Sequence, residues 1–378
     1  MTGIRKICII STVHPASDVR IFHKQAKTLV EAGYEVVLIG RKPLTPIDEP
    51  NIKFRELPAP KNRFDRMVRL SLIAFKWAWS EQADVYHFHD PELIFVGLLL
   101  RMFGKKVIYD VHEDVPLQIL SKSWIPSFLR PVLSWLVRTI EGLVGRWFSA
   151  VITVTQPISE RFIENGCRTV LVQNFPLLEE FPNLRPDVDD TSEENEPFVV
   201  YVGGISVARG IREMVEAIEH VNNCLGIKLV LAGKFEDARL ESEIQSMPGW
   251  KKVRFVGWVD RTRLPILLSK GIAGLVIFYP EPNHVSAQPN KLFEYMSAGI
   301  PVVASNFPLW KDIVERHNCG ILVDPLKPEE IARAITYLAE NSAEARKMGE
   351  NGRRAIEQYY NWEREAQKLL ELYDELSK

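Results

Sequence analysis

The sequence predicts an α/β protein made of two doubly wound parallel-sheet domains. Two observations carry this prediction. Short apolar strands alternate with helical segments throughout the chain, which is the pattern of parallel sheets. The alternation also occurs in two series, separated by a polar stretch. A length of 378 residues agrees, because it is too long for one ordinary core and suits two domains.

The first series opens with an apolar strand over residues 4–10, followed by a turn-rich loop and by a helix that Gly33 closes. Further strands are predicted at residues 36–39, 85–88, 107–110, 151–154 and 170–173. The second series has predicted strands at residues 198–203, 228–233, 253–257, 274–278 and 301–304. After Pro328 the sequence is helical almost to Lys378.

The polar stretch sets the domain boundaries. Residues 183–197 are rich in Asp, Glu, Ser, Asn and Pro and have almost nothing to bury, so they are predicted to be a linker or an exposed loop. The predicted organisation is a domain over residues 1–182, the linker 183–197, a second domain over 198–360 and a terminal helix over 361–378.

The most informative stretch lies between the last two predicted strands. A polar loop follows the strand at 274–278, and a helix then opens with Pro289 at its first position and ends at Gly299. Because the loop and the free N–H groups of this helix lie at the carboxyl end of a parallel sheet, they are predicted to bind a ligand, and phosphate suits them.

Two charged residues of this helix are unusual. Lys291 occupies the first turn, where the helix dipole disfavours a cation by roughly 0.3–1 kcal/mol unless an anion is bound. Glu294 stands among apolar residues, where a carboxylate needs hydrogen-bond donors such as the hydroxyls of a sugar. A diphosphate at Lys291 and a sugar diol at Glu294 are therefore predicted. The alternative is a surface helix with a solvated lysine and glutamate.

This segment, Pro-Asn-Lys-Leu-Phe-Glu-Tyr-Met-Ser-Ala-Gly-Ile-Pro-Val-Val-Ala, resembles the donor-nucleotide motif of the retaining family-4 glycosyltransferases of the GT-B fold. The resemblance implies two Rossmann-like domains facing across a cleft, with the last helix packing back on the first domain. It also implies that Glu294 holds the donor ribose and that Asn290, Lys291 and Leu292 belong to the donor site. Ser286 stands where the family has its first glutamate. The carboxylate that usually contacts the donor hexose is therefore missing at this position.

A second candidate element is the segment from Tyr201 to Gly210. The pair Gly203 and Gly204 ends a strand and lets the backbone approach a ligand, and Arg209 follows just before a helix. Family members commonly carry two cations here. Arg209 matches one of them, whereas Gly204 replaces the other, for which Lys234 is a candidate substitute. Taken alone, a Gly-Gly pair is usually only a turn, and Lys234 fits an exposed loop equally well.

Histidines mark the first domain. By resemblance, His112 faces the donor sugar, while His14 and His89 are candidate acceptor contacts. His87 and His89 share one strand face, but two histidines without a third convergent ligand make a weak metal site, so no metal is predicted. The predicted catalytic residues are His112, Arg209 and Lys291. The cations and N–H dipoles of the donor site would stabilise the departing nucleotide diphosphate, with no cofactor beyond the nucleotide sugar.

Charge and aromatic content bear on partners. A net charge of −2 gives no reason to expect nucleic acid. Residues 1–182 nevertheless hold 23 Lys and Arg against 19 Asp and Glu, whereas the remainder holds 24 against 30. The stretches 63–79 and 124–147 are cationic, helical and carry five of the nine tryptophans, which is typical of helices that lie on an anionic membrane. Amphipathic core helices with snorkelling arginines explain the pattern equally well.

The predicted function is retaining transfer of a hexose-type sugar from UDP or GDP to a glycan or lipid-linked acceptor, in the synthesis of surface polysaccharide or a glycoconjugate. A nucleotide-sugar epimerase of similar fold and a non-catalytic nucleotide-sugar-binding subunit are the alternatives. Four scattered cysteines and no apolar run near the roughly 20 residues of a membrane span predict a cytoplasmic protein, peripheral on the inner face of the cell membrane if it binds lipid.

Overall fold

The computed structural model describes residues 4–47, 49–122, 124–182 and 196–378. The chain divides into two compact units. The first contains the residues up to Asn174 together with Trp362–Lys378, and the second contains Phe175–Asn361. Most of the predicted linker 183–197 lies outside the described residues.

The first unit contains a seven-stranded parallel sheet in the order β3-β2-β1-β4-β5-β6-β7. Its central strands are largely apolar and buried, because both faces of a parallel sheet are covered by helices. They are β1 (Lys6–Pro15), β2 (Glu35–Arg41), β3 (Ile52–Glu56), β4 (Val85–Phe88), β5 (Lys106–Val111), β6 (Ala150–Thr153) and β7 (Thr169–Leu171). The strand order reverses between β1 and β4, which makes their carboxyl ends the expected ligand position within this unit.

The helices of the first unit follow the strands in the chain. They are α1 (Lys27–Glu31), α2 (Arg63–Asp65), α3 (Ser71–Glu81), α4 (Ile94–Met102), α5 (Val115–Ser121), α6 (Arg130–Gly145) and α7 (Gln156–Glu164). Two wider π-helical turns, Val19–Ala26 and Arg66–Leu70, lead into α1 and α3. Within the described residues, no helix is long and apolar enough to cross a membrane.

The second unit repeats the arrangement with a six-stranded parallel sheet in the order β10-β9-β8-β11-β12-β13. The strands are β8 (Phe198–Val202), β9 (Lys228–Ala232), β10 (Val253–Gly257), β11 (Ala273–Val276), β12 (Val302–Ser305) and β13 (Gly320–Val323). The helices are α8 (Ile211–His220), α9 (Ala238–Gln245), α10 (Leu264–Ser269), α11 (Pro282–Val285), α12 (Asn290–Ser297), α13 (Pro308–His317), α14 (Pro328–Glu340) and α15 (Ser342–Gln358). Here the strand order reverses between β8 and β11.

The last helix, α16 (Trp362–Ser377), belongs to the first unit. Its buried residues make specific hydrogen bonds there. Trp362 Nε1 donates to Thr28 Oγ1 at 3.0 Å, and the hydroxyl of Tyr373 lies 2.9 Å from Nδ1 of His87. A carboxylate oxygen of Glu365 accepts from the backbone N–H of Gln173 at 2.8 Å. These bonds and the burial of Trp362 and Tyr373 fix the helix on the first unit.

The two parallel sheets confirm the predicted fold class, and the structure differs from the predictions in local detail. Strands β3 and β13 were not among the predicted strands. Residues 175–182 group with the second unit rather than the first. Helix α12 begins at Asn290, so Pro289 precedes the helix instead of occupying its first position, with an extended backbone at ψ of 131°.

Candidate active site

The predicted donor site forms at the carboxyl end of β8. Gly203 has a φ of +129°, a conformation that favours glycine, and its neighbour Gly204 accepts a hydrogen bond from Arg209 Nη1 at 3.2 Å. A Cβ atom at Gly203 would lie 3.2 Å from the Nζ of Lys291, and one at Gly204 would lie 2.7 Å from Arg209 Nη1. The structure therefore brings Gly203, Gly204, Arg209 and Lys291 together, and both cations need the glycine backbone to be bare.

Lys291 is the most unusual side chain of this cluster. Only 7% of the residue is exposed, and no hydrogen-bond acceptor for its Nζ is found within the described part of the chain. The ammonium lies 3.7 Å from the ring centroid of Tyr201, a cation–π contact, and 5.1 Å from that of Phe278. Burial, together with the charge of Arg209, lowers the pKa of Lys291 well below its ordinary value. A bound anion would offset both the cost of burying the ammonium and its repulsion from Arg209.

Packing of α12 explains why Lys291 points into the unit. The apolar side of the helix is buried in the core through Leu292, Phe293, Tyr295 and Met296. Tyr295 packs directly against the backbone of Gly274 on β11, and its hydroxyl accepts a hydrogen bond from the N–H of Val202 at 3.0 Å. Since Val202 ends β8, this bond ties α12 to the end of that strand, next to Gly203.

Glu294 is mostly buried, with 15% of its side chain exposed, and it has a partner that the sequence did not reveal. Its Oε1 lies 3.7 Å from Nη1 of Arg261, which itself forms an ion pair with Glu180. Arg261 follows β10, and Glu180 lies far upstream in the chain. No local pattern links these positions. The only sequence signal was the charge of Glu294 in an apolar segment.

Four other predicted donor residues occupy less specific positions. Lys234 is exposed, and its backbone carbonyl accepts a hydrogen bond from the N–H of Ile205. The hydroxyl of Ser286 donates to the carbonyl of Pro282 at 3.1 Å. Asn290 is exposed at the start of α12. Leu292 is fully buried and its N–H already donates to Pro289, so its place in the structure is that of a core residue rather than a polar contact.

The predicted acceptor residues His14 and His89 form a cluster in the first unit with His112, a predicted catalytic residue. His14 at the end of β1 and His112 after β5 face each other, with their Nε2 atoms 2.9 Å apart. Both line a cavity of about 370 Å³ together with His89 and Asp90. Burial lowers the pKa of His112, and it lowers that of His89 well below its ordinary value. The neutral imidazoles that result are suited to hydrogen bonding with hydroxyl groups.

The histidine pair on β4 has a third convergent group after all. Ligand atoms of His87, His89 and Asp110 lie within 4.8 Å of one another, so the expectation that no third group converges there was wrong. Asp110 is nevertheless engaged by Arg20, whose Nη2 lies 3.0 Å from Oδ2, and by the Gln25 amide at 2.6 Å. Burial alone would raise the pKa of Asp110, but Arg20 and His87 hold it well below its usual range. A buried guanidinium on the carboxylate opposes the binding of a divalent cation.

Comparisons with known proteins bear on the family of the chain. A model described as glycosyl transferases group 1 matches residues 187–355, and one described as glycosyl transferase 4-like domain matches residues 19–176. Glycogen synthase of Mycobacterium tuberculosis is 22% identical over 322 residues, which span 81% of this chain and 72% of the relative.

Solved structures share the fold. Sucrose-phosphate synthase of Thermosynechococcus elongatus superposes with a TM-score of 0.77 at 24% identity, covering 98% of this chain and 99% of the other. Anabaena HepE in complex with UDP-glucose gives a TM-score of 0.75 at 16% identity, covering 97% and 98%. Since the two family models together account for most of both units, the chain belongs to the group 1 glycosyltransferases with a family 4-like N-terminal domain, and it is a glycosyltransferase of the GT-B fold.

Proposed function

We propose that this glycosyltransferase transfers a hexose-type sugar from UDP or GDP, with retention of configuration, to a glycan or lipid-linked acceptor in surface polysaccharide or glycoconjugate synthesis. The observation that carries the donor half is the ammonium of Lys291, which is buried beside Arg209 and Gly203 and has no acceptor among the described residues. A buried ammonium without a partner costs free energy of folding unless an anion binds to it. The diphosphate of a nucleotide sugar is such an anion and can form charged hydrogen bonds with Lys291 and Arg209.

In this proposal the two cations act on the leaving group. Arg209 and Lys291 neutralise the charge that develops on the diphosphate as the glycosidic bond breaks, which is electrostatic stabilisation in a dry site. The leaving phosphate takes the acceptor proton on the same face of the sugar, so no side-chain base is required. Glu294 orients the ribose. The UDP-glucose bound by HepE, a protein of the same fold, supports a uridine nucleotide as the first donor to test.

A panel of nucleotide sugars tests the donor half. Thermal unfolding of the whole chain should shift upward with one class of nucleotide sugar and its free diphosphate, and much less with the monophosphate, because the second phosphate meets the two cations. No shift with any UDP or GDP sugar at millimolar concentration would refute the proposal.

Transfer should not need a divalent metal. Arg209 and Lys291 supply the positive charge that a metal would otherwise bring to the diphosphate, and the Arg20 contact neutralises the carboxylate of the histidine cluster. We expect the rate of nucleotide release from the donor to be unchanged, within about twofold, after treatment with EDTA. Loss of activity that manganese or magnesium restores would contradict this expectation.

We further propose that the first unit binds an anionic membrane surface from the cytoplasmic side. Four of the five tryptophans in the two cationic stretches are exposed, with Trp79 at 37%, Trp124 at 63% and Trp135 and Trp147 at 65% each. Core helices would have buried them. The surrounding apolar face also includes other exposed side chains: Phe64, Met67, Val68, Leu72, Phe128, Val132, Leu136, Ile140 and Leu143.

The charges around this face favour anionic lipid. Helix α6 carries one acid, Glu141, which is buried against Arg161. The charged side chains that the helix exposes are therefore all positive. In the first stretch, Asp65 is paired with Arg69 and lies partly buried. Aromatic side chains flanked by unopposed cations are typical of helices that lie in a membrane interface. All four cysteines are unbonded, in agreement with a reducing compartment.

Sedimentation with liposomes tests the membrane proposal. At low salt the protein should sediment with vesicles containing phosphatidylglycerol and much less with phosphatidylcholine alone. Changing Lys76 and Arg138 to Glu should weaken binding at least about tenfold, because each near-surface cation contributes about 1 kcal/mol. The same reversal at Arg333 and Lys347, exposed cations of the second unit, is the control. If the parent protein does not sediment with anionic vesicles at low salt, the membrane proposal fails.

A further inference from the structure

The cavity of the first unit has the size and the lining of a site for a small hydroxylated ring. Its volume is about 370 Å³, within the range of small-molecule sites, and its inner part is formed by His14, His89, Asp90 and His112. One oxygen of Asp90, Oδ2, accepts hydrogen bonds from the Ser11 hydroxyl and the Thr12 N–H. The other, Oδ1, lies 3.8 Å from His14 Nε2, too far for a hydrogen bond, and can accept one from a ligand hydroxyl.

The outer part of the same cavity carries a different chemistry. Arg63, Arg66 and Lys122 line it, and among them Arg66 forms an ion pair with Glu92 at 3.0 Å. Within the described residues, Arg63 and Lys122 have no ion-pair partner, and both are exposed. The nearby acid Glu113 accepts a hydrogen bond from the Gln118 amide at 2.7 Å. Although Asp90, Glu92 and Glu113 also line the cavity, neither Arg63 nor Lys122 is paired with any of them in the described residues, and two such cations beside a pocket for hydroxyls favour an anionic group on the ligand.

Two further residues connect the cavity to the apolar face. Met67 and Trp124 line the cavity, yet they are 53% and 63% exposed. The guanidinium of Arg63 lies 4.9 Å from the ring centroid of Trp124, so a cation and an aromatic surface meet at the cavity mouth. Phe64 and Phe128, close in sequence to Arg63 and Trp124, are also exposed apolar side chains. A ligand that leaves the cavity by this route passes a cationic position and then apolar side chains.

We infer that this cavity takes the acceptor as a hydroxylated ring joined through a phosphate to a lipid. The ring lies against His14 and Asp90, the phosphate contacts Arg63 and Lys122, and the chains run over Met67 and Trp124. This inference rests on the proposed transfer to a lipid-linked acceptor and narrows it, since a neutral glycan would leave the two cations unused. A soluble sugar phosphate shares the ring and the phosphate, and only the chains distinguish it.

Three monomeric probes, each below its critical micelle concentration, separate these contributions in calorimetric titrations of the full chain. Dihexanoylphosphatidylinositol has ring, phosphate and chains, glucose 1-phosphate lacks the chains, and octyl β-glucoside lacks the phosphate. We expect the phosphatidylinositol to bind most tightly. Changing Arg63 and Lys122 to Ala should weaken it at least about fivefold and leave octyl β-glucoside unchanged. Arg333→Ala with Lys347→Ala removes the same charge at exposed positions of the second unit and should have no effect on any probe.

The outcomes are distinct. The inference is overturned if Arg63→Ala with Lys122→Ala binds the phosphatidylinositol as the parent does, if the control variant weakens it equally, or if none of the probes binds. Equal affinity for glucose 1-phosphate and the phosphatidylinositol would overturn the lipid part, because the chains would then contribute nothing. Restored binding in Arg63→Lys with Lys122→Arg would support a charge contact. Titration of the same samples with UDP and GDP measures nucleotide affinity. A failure of the proposed donor site is therefore detected separately from a failure of the acceptor cavity.

Discussion

Lys291→Met should reduce sugar transfer by about 100- to 1000-fold while leaving the fold intact. The loss follows from removing a preorganised cation at the position where negative charge develops on the leaving diphosphate. Methionine matches the length and the apolar contacts of the lysine stem against Tyr201 and Phe278. Release of nucleotide from the donor sugar under saturating conditions measures the effect, and Lys311→Met, an exposed lysine of the same unit, is the control.

The same substitution should stabilise the protein without ligand. The pKa of Lys291 lies well below its ordinary value in the folded protein, so between these two values the unfolded chain binds more protons than the folded one. The free energy of unfolding therefore rises with pH across that interval, and the cost of the buried charge is largest below it. Lys291→Met removes this cost, of the order of 1–3 kcal/mol, and flattens the pH dependence. Lower thermal stability of the variant at neutral pH would contradict the buried, unpaired ammonium.

Glu294→Ala should weaken nucleotide binding by about 10- to 100-fold. A carboxylate that accepts hydrogen bonds from both ribose hydroxyls contributes charged hydrogen bonds of roughly 1.5–3 kcal/mol, and its loss leaves Arg261 with one partner fewer. Calorimetric titration with the nucleoside diphosphate is the measurement. Glu294→Gln keeps the shape and should recover part of the affinity, whereas Glu329→Ala, at an exposed helix start, should match the parent.

The contact with Arg261 adds a second expectation to this experiment. If Arg261 positions the Glu294 carboxylate, Arg261→Gln should weaken binding of the nucleoside diphosphate less than Glu294→Ala does. The double variant should bind it no more weakly than Glu294→Ala alone. Arg263, exposed two residues later, provides the matched control. Unchanged nucleotide affinity in a folded Glu294→Ala protein would show that this residue does not hold the ribose.

The parallel α/β architecture could be predicted from the sequence because buried parallel strands are apolar along their whole length. Segments such as β1, β4, β8 and β12 carry this signal without help from their neighbours. Strand β3, Ile52–Glu56, alternates apolar and charged residues at the sheet edge, and β13 is short and begins with a glycine. Their pairing depends on partners elsewhere in the chain, so periodicity alone did not identify them.

The unusual positions of α12 were also visible in the sequence. Lys291 and Glu294 conflict with the local preferences of a helix, and such conflicts mark functional positions in a single sequence. The Lys291 contact with Gly203, by contrast, joins residues that are far apart in the chain, as does the Glu294 contact with Arg261. Leu292, a position inside the same motif, is fully buried in the core, and its place in the donor site stays a prediction.

By itself the sequence determined most of the strands, the helix that carries Lys291 and Glu294, and the cationic, tryptophan-rich composition of the first unit, because each depends on neighbours within a few residues. Only the tertiary structure decided the orientation of Trp124, Trp135 and Trp147, the convergence of Asp110 with the histidines, and the cavity that Arg63 and Lys122 share. An amphipathic helix can bury or expose its aromatic side chains. Which it does depends on how much apolar surface the sheet beneath it leaves uncovered, and that is a property of the packed unit.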